Sequence, residues 1–442
     1  MHKNRSFIVA AFAATLFFSH SFQAVAQEGI APRAFDQIEI VGNTRFRDGD
    51  ILATSDLAPG VAYGEADLIA AVEALEFTGE FRSVRIFSRG NILVIEVDEE
   101  PAFSGNLTFG LGYETDTGVF GSVGLRLDDA LGNGSTLGAD LTLAGEFVEA
   151  AAFVSNPSFW GQGRAGGVRL AFADYDYDDT LFDYRTYSVS PYLAFGLAGS
   201  NRGEVRLTAL GSEISDVDAA ASPIILAEAG DRLVVGPGVS LIFGAADALS
   251  RGWALRLDQD IFGGDAELSR TQLRLSGQTP FAGGTTVRTR IELAAVAGFN
   301  GSETIAADRF TLGGSAMRGF ARGGITPRDV CPGCGAGGAD VVTDLGGEFS
   351  AVARTELVVP LFEDRPMLEP FLFADVGSVW GLDRSTPPAG IVDDTLDWRS
   401  SAGLGLAIAT PLGRFSVTYA AHIDSEALDD EAELNLSFAA EF

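Results

Sequence analysis

After Pro101, apolar residues return at every second position along most of the remaining chain, and no other feature restricts the fold so strongly. NLTFGLGY places Leu107, Phe109, Leu111 and Tyr113 on one face, SVGLRLDD places Val123, Leu125 and Leu127, and LGADLTLAGEF places Leu137, Leu141 and Leu143. The chain ends in ELNLSFAAEF, where Leu434, Leu436, Phe438, Ala440 and Phe442 alternate with polar or small partners. Side chains of a strand point alternately to its two faces, so this pattern suits a wall with lipid on one side and a hydrated lumen on the other. Allowing about 20 residues for each strand and turn, the about 340 residues after Pro101 make about sixteen strands. A soluble sandwich or propeller is the alternative; the length of the alternating tract and the lack of a blade-length repeat weigh against it.

The N-terminus reads differently. Lys3 and Arg5 precede an apolar run from Ile8 to Phe18, and Ala24-Val25-Ala26 supplies small residues for cleavage, so residues 1–26 are expected to be a signal peptide. As an anchor the run is shorter than the about 20 residues that cross a bilayer. Residues 35–101 mix periods: FDQIEIV reads as a strand, GEADLIAAVEALEFTGEF as a helix with Leu68, Val72 and Leu75 on one face, and FRSVRIFS and NILVIEVDEEP as a hairpin around SRGN. The expected fold is therefore mainly β, a transmembrane antiparallel barrel of about sixteen strands over 102–442, preceded by one small α+β module.

Charge and side-chain chemistry remove several function classes. A net charge of −31 repels phosphate backbones and excludes nucleic acid as a partner. His422 is the one histidine after the leader and stands in a strand edge, which leaves a histidine triad or a zinc site without material. The acidic run Ala173–Asp179 lacks the glycine-and-glutamate register of an EF-hand and reads as a solvated loop. Cys331 and Cys334 have redox spacing but lie in a glycine-rich loop with no βαβ context, so a local disulfide is expected there. No cofactor or metal is expected, and no covalent catalysis.

One loop is unusual. Residues 312–329, LGGSAMRGFARGGITPRD, combine helix- and strand-breaking glycines with Arg318, Arg322, Arg328 and the apolar Phe320. Exposed loops are small and polar, whereas this one carries side chains suited to insertion into something.

These residues resemble the outer-membrane assembly superfamily that includes BamA and TamA, together with the two-partner secretion transporters. LGGSAMRGF is similar to the arginine-glycine-aromatic motif of that family's sixth extracellular loop through Arg318, Gly319 and Phe320. RTELVVPL resembles the strand after the loop, FLFADVGSVW resembles the F-x-D-x-G motif through Phe373, Asp375 and Gly377, and SAGLGLAIATPLGRFSVTYA resembles the penultimate strands. SNPSFWGQG is similar to an early-barrel motif, and VGNTRF, TGEFRSVRI and LVIEVDEEP resemble one POTRA unit, in a short form with a single such module.

The resemblance implies that the loop folds back into the barrel and that Arg318 meets Asp375 on the inner wall, with Glu356 as a second acceptor. It also implies a place in the outer membrane of a Gram-negative bacterium, with the module in the periplasm. There the protein would insert client β-barrel proteins by pairing an incoming strand with the seam, near Leu107, Phe109 and Leu434 to Phe442. The partners are then outer-membrane lipid, unfolded clients, and periplasmic or lipoprotein partners at the module. The alternative is a two-partner-type secretion pore for an exported polypeptide, although such transporters carry two POTRA units and a plug helix. A passive porin or surface antigen would need neither module nor loop motif.

Overall fold

The computed structural model describes residues 32–442 except 79, 100–104, 116, 133, 162, 177–179, 198–200, 245–251, 362–367, 411–412 and 442. The leader, part of the acidic run and Phe442 therefore lie outside the described residues.

Strands Gln37–Val41, Ile92–Glu99 and Phe81–Arg89 form a sheet in that spatial order, the first two parallel and the last two antiparallel. Helices Asp48–Ser55 and Glu65–Glu76 pack on one face. The central strand buries Leu93, Ile95 and Val97 against Val84, Ile51 and Leu75, so the alternation of VRI and LVIEV becomes one small core. The sequence pattern had marked only the second helix. Asp48–Ser55 is too short and too polar to show a helical period, and tertiary packing of Ile51 holds it.

Sixteen antiparallel strands follow and close into a barrel, from Gly105–Glu114 to Leu434–Glu441. The apolar positions of the alternating pattern point outward: Phe109, Leu111, Val123 and Leu125 are exposed, as a lipid-facing band requires. Inside, charged residues pair across strands. Arg169 meets Glu204 through two hydrogen bonds of 2.6 and 2.7 Å, and Arg206 reaches Asp260 at 2.7 and 2.9 Å. The module joins the first strand, and the end of the barrel on that side is called here the proximal rim. At the distal rim, Arg328–Cys331, Val341–Asp344 and Ile391–Asp393 form a three-stranded sheet. Cys331 and Cys334 are disulfide-bonded beside it. Residues after Pro101 had shown no helical period, yet Pro223–Glu228 is a short helix. Its signal was local: Ser222 caps it, and Pro223 stands where a missing N–H costs nothing.

The module docks on the proximal rim through a shared arginine. Arg45 meets Glu80 of the module at 2.5 Å and Asp129 of the first proximal turn at 3.0 Å. Arg202, at the start of the strand Arg202–Ser215, lies 4.3 Å over the ring of Phe77. Burial pushes the Glu80 carboxyl up to about 7, against the attraction of Arg45, with Asp129 and Asp128 adding repulsion. A carboxyl whose folded pKa is raised favours the folded state most below its ordinary value and loses that stability as pH rises through the folded one. Hydrogen-exchange protection of Phe81–Glu99 should therefore fall as pH rises from about 4.5 to 7, after correction for intrinsic exchange. Glu80→Gln should flatten this profile; an unchanged slope in that variant would assign the pH dependence to other groups.

Candidate functional site

Residues 299–348, between strands Thr286–Gly298 and Phe349–Val358, leave the distal rim and return into the lumen. The turn at its tip depends on Gly319, whose φ of +94° disfavours any side chain and whose absent Cβ would stand 2.9 Å from Cβ of Ser401. Ser401 donates its hydroxyl to the Arg318 carbonyl from the neighbouring wall. Gly377 leaves space on the wall itself, because a Cβ there would lie 2.9 Å from the Met317 sulfur and 3.1 Å from Leu312.

Arg318 then faces two carboxylates. Its Nε and Nη2 donate to the two oxygens of Asp375 at 2.8 and 2.7 Å, and its backbone N–H donates to the same carboxylate at 3.2 Å. Nη1 donates to Glu356 at 2.6 Å. The guanidinium also lies 3.8 Å over the ring of Phe373. Asp375 is fully buried, so its charge depends on this fork. Strand register explains the convergence: Asp375 sits opposite Ser401, and Phe373 opposite Glu356, so four neighbouring positions on three strands meet one arginine.

Phe320 is buried with Leu312, Met317 and Ile325 of the loop against Val352 and Val379 of the wall. The other loop arginines are also engaged. Arg322 reaches across the lumen to Glu149 at 3.4 Å and lies 4.4 Å over Phe147, while Arg328 holds Asp344 and Asp430 at 2.6 and 2.7 Å in the distal sheet. The loop thus spans the lumen from the late strands to the early ones. Gly319 and Phe320 additionally pair with Ala432 and Glu431, the segment that leads into the last strand.

The structure thus brings together Arg318, Gly319, Phe320, Asp375, Glu356, Phe373 and Gly377; the seam runs between other strands, but its distal end meets the loop tip, where Leu434 lines the same cavity as Arg318, Gly319 and Phe320. The last strand pairs with the first from Asn435 opposite Glu114 to Glu441 opposite Thr108, with Leu436 opposite Tyr113, Phe438 opposite Leu111 and Ala440 opposite Phe109. Among the described residues that seam holds seven register pairs, and the last strand holds six with its other neighbour, against thirteen between Leu268–Pro280 and Thr286–Gly298. Leu107 lies beyond the seam pairs and is matched only with Leu125 of the second strand. Ser401 and the distant Glu149 had no signal in the sequence, since a single serine or glutamate in a strand does not mark which side chain will come to face it.

Comparisons with known proteins agree with this architecture. The outer membrane protein assembly factor BamA of Neorickettsia risticii (strain Illinois) is 25% identical over 402 residues, covering 87% of this chain and 52% of that protein. The chain spans about half the length of that curated relative. Among solved structures, BamA from Haemophilus ducreyi lacking POTRA domains 1–3 matches with a TM-score of 0.67 and 21% identity over 92% of this chain and 84% of that one. CdiB from Acinetobacter baumannii matches with a TM-score of 0.63 and 13% identity over 93% and 74%. At those identities the likeness is one of fold. The model of the Omp85 superfamily domain matches residues 129–442, which takes in the loop, the inner-wall carboxylates and all but the first strands of the barrel, and the chain belongs to the Omp85 superfamily.

Proposed function

We propose that this protein is an outer-membrane assembly factor that inserts client β-barrel proteins by strand pairing at its own seam. The observation that carries the proposal is the thinly paired closing strand. Backbone N–H and C=O groups released there would be bonded by an incoming strand of a client, and no covalent chemistry is required. The proximal rim then faces the periplasm, where the module sheet has Gln37–Val41 and Phe81–Arg89 at its two edges. Either edge would hold an extended client or an accessory protein by the same main-chain pairing.

The test is a covalent lock. Gly110 and Ala439 are register partners across the seam. Cysteines at both positions, oxidised after the barrel has folded in liposomes, should reduce client insertion at least tenfold, and reduction should restore it. Undiminished insertion by the fully oxidised protein would sink the seam mechanism. A secretion pore is the second reading, supported by the fold shared with CdiB. It requires the loop and the distal sheet to leave the lumen, so the same liposomes should then conduct ions on engagement of an exported polypeptide while failing to fold clients.

A further inference from the structure

On the lumen wall below the loop tip, strands Thr286–Gly298 and Phe349–Val358 place four charged side chains of which the loop engages only two, Glu356 and Arg354. Arg290 stands directly opposite Arg354, and Arg288 opposite Glu356. Like charges directly opposite on one face of a sheet repel, and such a pair persists where something else stabilises it. The acids within reach are already engaged. Glu356 accepts from Arg318, while Glu292 is shared between Arg274 and Arg290. Arg354 turns to the carbonyl of Ser315. The nearest acid to Arg288 is Glu369 at 3.9 Å, beyond hydrogen-bond distance, and Nε of Arg288 is buried with no hydrogen-bond partner among the described residues.

These arginines are not packed into the wall. Arg288, Arg290, Arg318 and Arg354 all line one cavity of about 480 Å³, with Ser276, Ser416 and Thr418 around them and Glu114 and Glu433 on its far, seam-side wall. Several guanidinium groups converging on one space suit an anion that offers three or more oxygens, because each fork takes two and a carboxylate has only two to give. Four arginines stand here against Glu114, Glu356 and Glu433, a small positive excess in a chain of net charge −31.

We infer that this cavity is a binding site for a phosphate-type oxyanion, the chemistry shared by a free phosphate and a phospholipid headgroup. Arg288 provides the fork that protein carboxylates leave without a hydrogen bond, and Arg290, which Glu292 engages through Nε, and Arg354 add positive charge beside it. The inference does not depend on the proposed insertion activity.

The full-length protein in a zwitterionic detergent is titrated with inorganic phosphate against chloride at matched ionic strength, with its unfolding midpoint read from heat-modifiable gel migration. Phosphate should raise the midpoint saturably. The Arg288→Gln, Arg290→Gln double variant should need about tenfold more phosphate or better for the same rise, as the loss of a charge-assisted bond implies. Arg185→Gln, which removes an arginine bonded to Asp174 elsewhere in the lumen, should respond as the wild type does. Arg288→Gln alone serves if the double variant does not fold, since it breaks no hydrogen bond among the described residues. A second arm compares phosphatidylcholine vesicles with vesicles containing phosphatidylglycerol. If a headgroup is the occupant, the anionic vesicles raise the midpoint and abolish the response to added phosphate, in wild type but not in the variant. If free phosphate is the occupant, the response survives in both. No saturable effect on the wild type in either arm, or an equal effect on the double variant, overturns the site.

Discussion

Arg318→Ala should release the loop from the wall while the barrel stays closed. It removes the partner of a fully buried Asp375 and one partner of Glu356, and truncating one side of a fully buried pair costs about 3–5 kcal/mol. Glu356 is 28% exposed, so water in the lumen should keep the cost near the lower end of that range. Closure rests on the strand ladders and is not lost with the loop. The expected signature is therefore protease cleavage within residues 321–340 at temperatures where heat-modifiable migration still reports a folded barrel, together with slower client insertion. Exchanging the charges, Arg318→Asp with Asp375→Arg, should recover part of the rate but not all, because a carboxylate cannot reproduce the fork over Phe373. Wild-type protection and insertion in both single variants would show that the pair is dispensable.

Phe320→Ala should loosen the same loop by a different route. Its ring is 1% exposed and packs against Val352 and Val379, and deleting a buried aromatic ring of this kind costs about 3–5 kcal/mol. The two variants are separable by salt and by size. Phe320→Leu should restore most of the protection lost in Phe320→Ala, while high salt should worsen Arg318→Ala little, the ion pair being already gone. Equal protease sensitivity of the alanine and leucine variants would mean that Phe320 contributes through something other than packing.

Much of this architecture was legible because side chains on a strand repeat every two residues, so the lipid-facing set of Phe109, Leu111, Val123 and Leu125 declares itself without knowledge of neighbours. The loop drew notice because a bulky apolar Phe320 and three arginines stand among glycines, and its insertion and the meeting of Arg318 with Asp375 were what the family resemblance implied. What stayed hidden is everything decided by register. Arg290 opposite Arg354 follows from the pairing of two strands separated by a 50-residue excursion, and no local pattern encodes that offset. The contact of Arg45 with Asp129 joins residues 84 positions apart in two differently folded parts. Asp48–Ser55 was missed because its helix is stabilised by Ile51 in the module core and not by its own period.

The short pairing of Gly319 and Phe320 with Ala432 and Glu431 ties the distal approach to the closing strand to the loop. At its distal end the strand is continuous with a segment stitched to the loop tip, and that tip is clamped by the four hydrogen bonds that Arg318 donates to Asp375 and Glu356. Toward its proximal end it is restrained by ladder pairs alone, Ala439 with Gly110 across the seam and with Arg414 of the preceding strand. With the clamp at the distal end and ladder pairs alone at the proximal end, any parting of the seam would be easiest on the side of the module.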